Sequence, residues 1–160
     1  MDNIVPFGSA MDQRLQRLAE YLLRCPSAAA FDPVKLAPDL WQHLYVIDVL
    51  TLPEVAERGL RIRLTGSSLE TLFGRRLVGE RLDHILHGPH SAEVLAGFQR
   101  CAMAREPVWM RQIVTIDRKA PRFIEGVAVH LAPERIYGGL LSGQVSAAKG
   151  GFELRVLGGP

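Results

Sequence analysis

Histidines at positions 84, 87 and 90 form the pattern in this sequence that comes nearest to a metal site. On one continuous helix, side chains three residues apart share a side, and imidazoles at such a spacing can bind a metal, with Asp83 as an added carboxylate. A Gly-Pro dipeptide separates His90 from His84 and His87, however, and is expected to break a helix. We therefore favour a polar loop here over a metal site.

The nucleophilic side chains form no clearer catalytic pattern. Ser67 and Ser68 precede His84, but Ser67 begins a Ser-x-x-Glu pattern typical of a helix N-terminus. Cys25 and Cys101 lie in neither a CxxC pair nor a Cys/His spacing typical of zinc, so we expect two free thiols, with Cys101 as a small buried hydrophobe. The sequence contains no nucleophile elbow, P-loop or GxGxxG motif. We therefore predict that the chain is not an enzyme.

Composition and charge narrow the class of protein. The chain has 160 residues, of which 48% are hydrophobic and 22% charged, as in one ordinary globular domain. Lys plus Arg exceeds Asp plus Glu by only 19 to 17, which is too little to indicate nucleic acid or an anionic membrane as a partner. The N-terminus lacks a basic region followed by an apolar run, and the longest apolar stretch, LYVIDVL, is too short to span a bilayer. We expect a cytoplasmic protein.

An amphipathic helix is predicted near the N-terminus. Ser9 and Asp12 resemble a capping box, so the helix should begin near Ala10 and end before Pro26. Its apolar positions alternate in steps of four and three, and two such heptads need a packing partner. That partner is either the domain's own sheet or the same helix of a second chain. The stripe, which is our candidate homodimer interface, consists of Met11, Leu15, Leu18 and Leu22, with Cys25 at its end.

The rest of the chain alternates between strand and helix patterns. An Asp-Pro pair at 32–33 is typical of an N-cap and first helical position, and Gly74 is a predicted left-handed helix stop. Leu60, Ile62 and Leu64 alternate with polar residues, as in a half-exposed strand. A long helix is predicted at 91–105. Strands are predicted at 44–50, 60–66, 108–116, 122–131 and 136–145, and residues 152–157 form either a sixth strand or a frayed tail.

This order of elements predicts an α+β fold, with a five-stranded antiparallel sheet and helices on one face. It resembles the PAS domain, on the evidence of LRIRLTGSSLETLFGRRLVGERLDHIL at 60–86, with Gly74 and Gly79 at the characteristic glycine positions. More narrowly, the chain is similar to small stand-alone bacterial PAS proteins best known from alphaproteobacteria. The matches to that family are Asp32-Pro33, Asp48-Val49, Arg63 to Gly66, and Leu72-Phe73-Gly74-Arg75 with Gly79.

The resemblance implies a sensor domain with its site between the helices and the sheet. In PAS domains this region can enclose a small-molecule cavity, although a fully packed core is an equal expectation. Haem binding through a histidine such as His90, at the start of the long helix, would need a ring-sized apolar pocket, and we do not favour it. The Asn-Cys-Arg-Phe-Leu motif of flavin-binding relatives is absent. The candidate ligand-binding residues are Ile62, Leu72, Phe73, Leu82, Ile85, Leu95, Phe98, Met110, Val114 and Val127.

These observations lead to two functional hypotheses ahead of an enzyme. The first is a PAS-type sensor that binds a small ligand and signals through a separate, unidentified protein. The second is a ligand-free module for homodimerisation or protein interaction. We divide the chain into an N-terminal helix and connector at 1–31, a PAS-like domain at 32–146, and a C-terminal strand or tail at 147–160.

Overall fold

A single twisted sheet organises the molecule. The structure, a computed structural model, describes residues 3–5, 11–114, 120–144 and 151–158. Within these residues seven strands form the sheet in the order β1-β7-β4-β5-β6-β2-β3, and every neighbouring pair is antiparallel except β1 with β7. The strands are β1 (Asn3–Val5), β2 (Leu44–Thr51), β3 (Arg58–Thr65), β4 (Val108–Val114), β5 (Arg122–Leu131), β6 (Arg135–Gln144) and β7 (Phe152–Leu157).

Helices cover both faces of this sheet. One face carries α1 and the connector that follows it, and the other carries α3, α4 and α5. None of the helices in the described ranges is long and apolar enough to cross a membrane. The α-helices are α1 (Gln13–Arg24), α2 (Pro38–Trp41), α3 (Ser67–Phe73), α4 (Leu82–Ile85) and α5 (Ser91–Ala104), with 3-10 turns at Ala28–Ala30 and Pro33–Lys35.

The predicted α+β architecture is confirmed, and the sheet is wider than expected. The five predicted strands are β2 to β6, and they adjoin one another in the order β4-β5-β6-β2-β3. The segment predicted as either a strand or a tail is β7, which pairs with β4. It therefore continues the same sheet, with β1 beyond it.

The N-terminal helix begins later than predicted. Asp12 is its N-cap, because Oδ1 accepts the backbone N–H of Arg14 at 2.8 Å, whereas Ser9 and Ala10 lie outside the described residues. The helix ends at Arg24, just before Pro26, as the proline predicts.

The apolar stripe of α1 packs within its own chain, which corrects its assignment as a dimer interface. Leu15, Leu18 and Leu22 have no exposed surface, and Met11 is 9% exposed. They contact the sheet closely, because a Cβ on Gly139 of β6 would lie 2.5 Å from Leu18 Cδ2. Of the two partners left open by the sequence, the structure therefore shows the domain's own sheet. Homodimerisation itself stays a prediction.

Two local expectations for β3 and α3 are also corrected. The register shifts between Val46 and Ile47, so that Ile62 pairs with Ile47 but Leu64 pairs with Val46. This bulge turns Leu64 away from the face of Ile62 and leaves it 48% exposed. The N-cap of α3 is Gly66 rather than Ser67, without a side-chain capping bond.

Candidate functional site

A small apolar cavity lies between the sheet and the helices α3, α4 and α5. Its volume is about 70 Å³. Ligand pockets for drug-sized molecules are several times larger, at roughly 300–1,000 Å³. The walls are formed by Tyr45, Ile47, Ile62, Thr65, Leu69, Phe73, Leu77, Leu82, Ile85, Leu86, Val94, Phe98, Gln112, Ile124 and Leu140.

The short helices are held over the cavity by the segment that precedes α4. Gly79 donates its backbone N–H to the carbonyl of Ile62 at 2.8 Å, and Ile62 donates to the carbonyl of Glu80 at 2.9 Å. Gly79 adopts a φ of 89°, in the left-handed region that favours glycine. Gly74, which ends α3 with a φ of 73°, confirms the predicted left-handed stop. These turns place Leu82 and Ile85 against the sheet.

Few polar groups face this cavity. Tyr45 uses its hydroxyl to donate a hydrogen bond of 2.7 Å to the carbonyl of Val127, and burial raises the pKa of Tyr45 well above its ordinary value. Thr65 Oγ1 lies 3.5 Å from Glu70 Oε1. In the part of the chain that the structure describes, the amide of Gln112 makes no side-chain hydrogen bond. It is the polar group available to orient a bound molecule.

The structure brings half of the predicted ligand-binding residues together. The cavity wall includes Ile62, Phe73, Leu82, Ile85 and Phe98. Of these, Phe98 also packs edge-on against the ring of Tyr45, with 6.0 Å between centroids.

The other predicted residues lie elsewhere. Leu95 and Met110 pack in the same hydrophobic cluster without forming the wall, and Leu72 borders a separate polar cleft. The prediction that Val127 belongs to this site is wrong, because Val127 faces α1 on the opposite side of the sheet. The side chain of Val114 lies outside what the structure describes.

Several wall residues were missed by the sequence reasoning. Ile124 is one of them; it pairs with Gln112 across β4 and β5, and both residues face the helices. The alternation in β5 does separate Ile124 from Val127 by an odd number of positions, and this was a usable signal. The sequence did not indicate whether the even-numbered or the odd-numbered residues of β5 face the helices α3, α4 and α5. Tyr45, Leu69 and Val94 were likewise missed.

The histidine pattern does not converge. His84 lies on α4, 3.8 Å from Asp83, whereas His90 Nδ1 is 2.9 Å from Glu93 Oε1 at the start of α5. Among the described residues, no group of three or more His, Cys, Asp or Glu side chains is arranged to hold a metal ion.

The residues around the cavity do not fit a large prosthetic group. A space of about 70 Å³ is far smaller than a haem or flavin ring system requires. Cys101, on α5, is fully buried, and burial raises the pKa of its thiol to about 12. It is therefore a neutral packing group in this structure, as its place in the sequence predicted.

Comparisons with known proteins support the fold alone. No protein-family model matches the chain, and no curated protein matches its sequence. The narrower resemblance to stand-alone bacterial PAS proteins therefore stays a prediction. Among solved structures, a fungal LOV domain photoreceptor is similar over 84% of this chain and 93% of its own, with 16% sequence identity and a TM-score of 0.50. LOV domains belong to the PAS superfamily, and this chain therefore has a PAS-like α+β fold.

Proposed function

We propose that this protein is a non-catalytic, cytoplasmic sensor module that binds a small apolar ligand in the cavity between the helices and the sheet. The observation that carries this proposal is the cavity itself. Apart from Thr65, Gln112 and the tyrosine hydroxyl, its wall is hydrocarbon. Such a wall favours an uncharged ligand, because a charged group would lose its hydration without a partner.

The small volume gives the ligand a means of signalling. An apolar cavity of about 150 Å³ is known to take up benzene or xenon, and this one is about half as large. A ligand with even one ring therefore requires the wall to move. The wall elements α3 and α4 have seven and four residues, too few to be stable helices without packing. We infer that they move, and that the ligand selects the displaced arrangement.

A separate signalling protein is the proposed receiver of this change. The outer side of the α3–α4 region is exposed at Arg75, Arg76 and Val78. A shift of these helices would therefore alter surface that a partner can contact. Homodimerisation is a weaker candidate than it was from sequence, since the stripe that suggested it is buried within one chain.

Two variants of one wall residue test the ligand site. Ile85→Phe fills the cavity, and Ile85→Ala enlarges it. Melting temperatures are measured with benzene, indole and naphthalene, and Val78→Phe on the exposed surface is the control. We expect the ligands to raise the melting temperature of the wild type and the control, to raise that of Ile85→Ala more, and to raise that of Ile85→Phe less than that of the wild type. Equal shifts in all four proteins would overturn the proposal.

A further inference from the structure

A second, larger apolar cavity lies on the opposite side of the sheet, under α1. Its volume is about 270 Å³. This is almost four times the volume of the cavity between the sheet and α3, α4 and α5, which we call the core cavity. We call the larger cavity the α1 groove. Leu18 and Leu22 of α1 form one wall, Phe31 of the connector and Trp41 of α2 form another, and Leu64 of β3 stands at its mouth.

The walls of the α1 groove are fixed by contacts within the chain. Trp41 donates its indole N–H to the carbonyl of Pro33 at 2.8 Å, which holds the ring in place. The rings of Phe31 and Tyr137 are in contact, with 4.6 Å between centroids. Tyr21 adds a second anchor, because its hydroxyl accepts the backbone N–H of Asp32 at 2.8 Å. A groove held in this way is formed before any ligand arrives.

The chemistry of the α1 groove indicates its ligand. Four aromatic residues line it, and none of the described side chains that line it is charged. The charged residues near Trp41 and Leu64 in the sequence form ion pairs. Asp39 pairs with Arg17 at 3.9 Å, and Arg63 pairs with Asp48 at 3.4 Å. They therefore give no excess of one sign to attract an ion.

Exposure at the mouth of the groove supports the same conclusion. Trp41 is 45% exposed and Leu64 is 48% exposed, so water covers apolar surface there. Filling the space with a flat hydrophobic molecule would remove that surface from water and stack the molecule on the aromatic walls. The volume of about 270 Å³ suits an aromatic molecule of two or three rings.

We propose that the α1 groove binds an uncharged, aromatic small molecule, independently of the core cavity. This inference goes beyond the proposed function, because it assigns a second site on the other face of the sheet. Tyr45 borders both cavities; it lies on β2, next to the edge strand β3, and pairs with Gly138 of β6. A ligand in the groove is therefore placed to influence the core cavity through this residue.

The test uses N-phenyl-1-naphthylamine, a neutral aromatic probe whose fluorescence rises in apolar surroundings and which is too large for the core cavity. The full chain is titrated as wild type, as Leu64→Glu at the groove mouth, and as the matched control Val78→Glu, also on an exposed apolar residue. We expect one binding site in the wild type and the control, and at least a tenfold weaker affinity in Leu64→Glu.

Several outcomes would overturn this assignment. No probe binding to the wild type, or equal affinity of Leu64→Glu and the control, would contradict it. Loss of probe binding in Ile85→Phe would place the probe in the core cavity instead, which leaves the sensor proposal standing. If sedimentation shows a wild-type dimer that Leu64→Glu dissociates, the groove is covered by a second copy of the chain and not by a small molecule.

Discussion

The indole N–H of Trp109 donates a hydrogen bond of 3.0 Å to Oε2 of Glu125, between neighbouring strands on the face that carries α1. The same oxygen accepts the backbone N–H of Asp12 at 2.9 Å. Glu125 is only 5% exposed, and Arg111 and Arg155 lie over the indole at 4.9 and 5.0 Å from its centroid. One buried carboxylate oxygen thus joins the sheet to the N-cap of α1.

Removing this acceptor should destabilise the fold. In Glu125→Leu, the Trp109 and Asp12 donors lose their partner, and a buried unsatisfied donor costs roughly 1–3 kcal/mol. We expect urea unfolding to show a loss of about 2–5 kcal/mol for Glu125→Leu and a smaller loss for Glu125→Gln, which keeps an acceptor oxygen. The exposed Glu57→Gln is the control. A Glu125→Leu protein as stable as the wild type would show that the Glu125 bonds contribute nothing.

Packing of α1 in cis predicts how its apolar stripe responds to truncation. Leu18→Ala removes a fully buried side chain, and such changes cost roughly 2–5 kcal/mol. Leu23→Ala on the same helix, where the side chain is 41% exposed, should change the free energy of unfolding by less than about 0.5 kcal/mol. Sedimentation should give the same mass for both variants and the wild type. A dimer that Leu18→Ala converts to an equally stable monomer would restore the interface hypothesis.

The two thiols should differ in reactivity. Cys101 is buried and its pKa is raised to about 12 by that burial, so at pH 8 it presents almost no thiolate. Cys25 is partly exposed. With Ellman's reagent at pH 8, we expect one thiol to react in the native wild type, none in native Cys25→Ser, and both once the wild type is unfolded in guanidinium. Rapid labelling of native Cys25→Ser would contradict the packing of α5.

Acid should weaken the fold through His130. Its side chain is 3% exposed, and Nε2 makes no hydrogen bond to any residue that the structure describes. Burial, aided by the charge of Arg105, lowers the pKa of His130 below the ordinary value of 6.5. The other facing group is Glu134, whose carboxylate lies 3.9 Å from Nε2 and favours the charged form.

The sign of this pH effect follows from proton binding. As the pH falls below about 6.5, the unfolded chain protonates His130 before the folded chain does, so the free energy of unfolding falls. His43 has a lowered pKa too and acts in the same direction. We expect His130→Gln to lose less stability than the wild type between pH 7.5 and pH 5.5, and the exposed His84→Gln to behave like the wild type. An unchanged pH dependence in His130→Gln would contradict the effect.

Local patterns in the sequence predicted the bounds of helices and strands better than they predicted which face of the sheet a residue occupies. The bounds of β5 match the predicted strand, and those of β7 match the segment that was left open as a strand or a tail. Gly74 ends α3 as expected. Strand alternation and a left-handed glycine are local properties, so the sequence can indicate them. Leu64 and Val127 were misplaced for a different reason. The bulge between β2 and β3 depends on the register in which the two strands pair, and the choice of face in β5 depends on how the sheet packs between two layers of helices.

The sequence likewise predicted some residues of the candidate site but not the size of its cavity. Five wall residues followed from the PAS resemblance and the apolar helical block. The small volume of the core cavity and the larger α1 groove depend on three-dimensional packing, which no spacing in the sequence records. Burial of the α1 stripe in cis was one of two equal alternatives, since the same amphipathic helix suits either partner.

The most direct test of the sensor proposal is methyl NMR of the protein titrated with indole, in the wild type and in Ile85→Phe. The proposal predicts saturable shifts of the Ile62 and Leu82 methyl groups, with amide shifts in α3 and α4, all absent from Ile85→Phe. Shifts at the α1 groove, at Leu18 and Leu64, would persist in both proteins. If the Ile62 and Leu82 methyl groups do not respond, or respond equally in Ile85→Phe, the core cavity is not a ligand site.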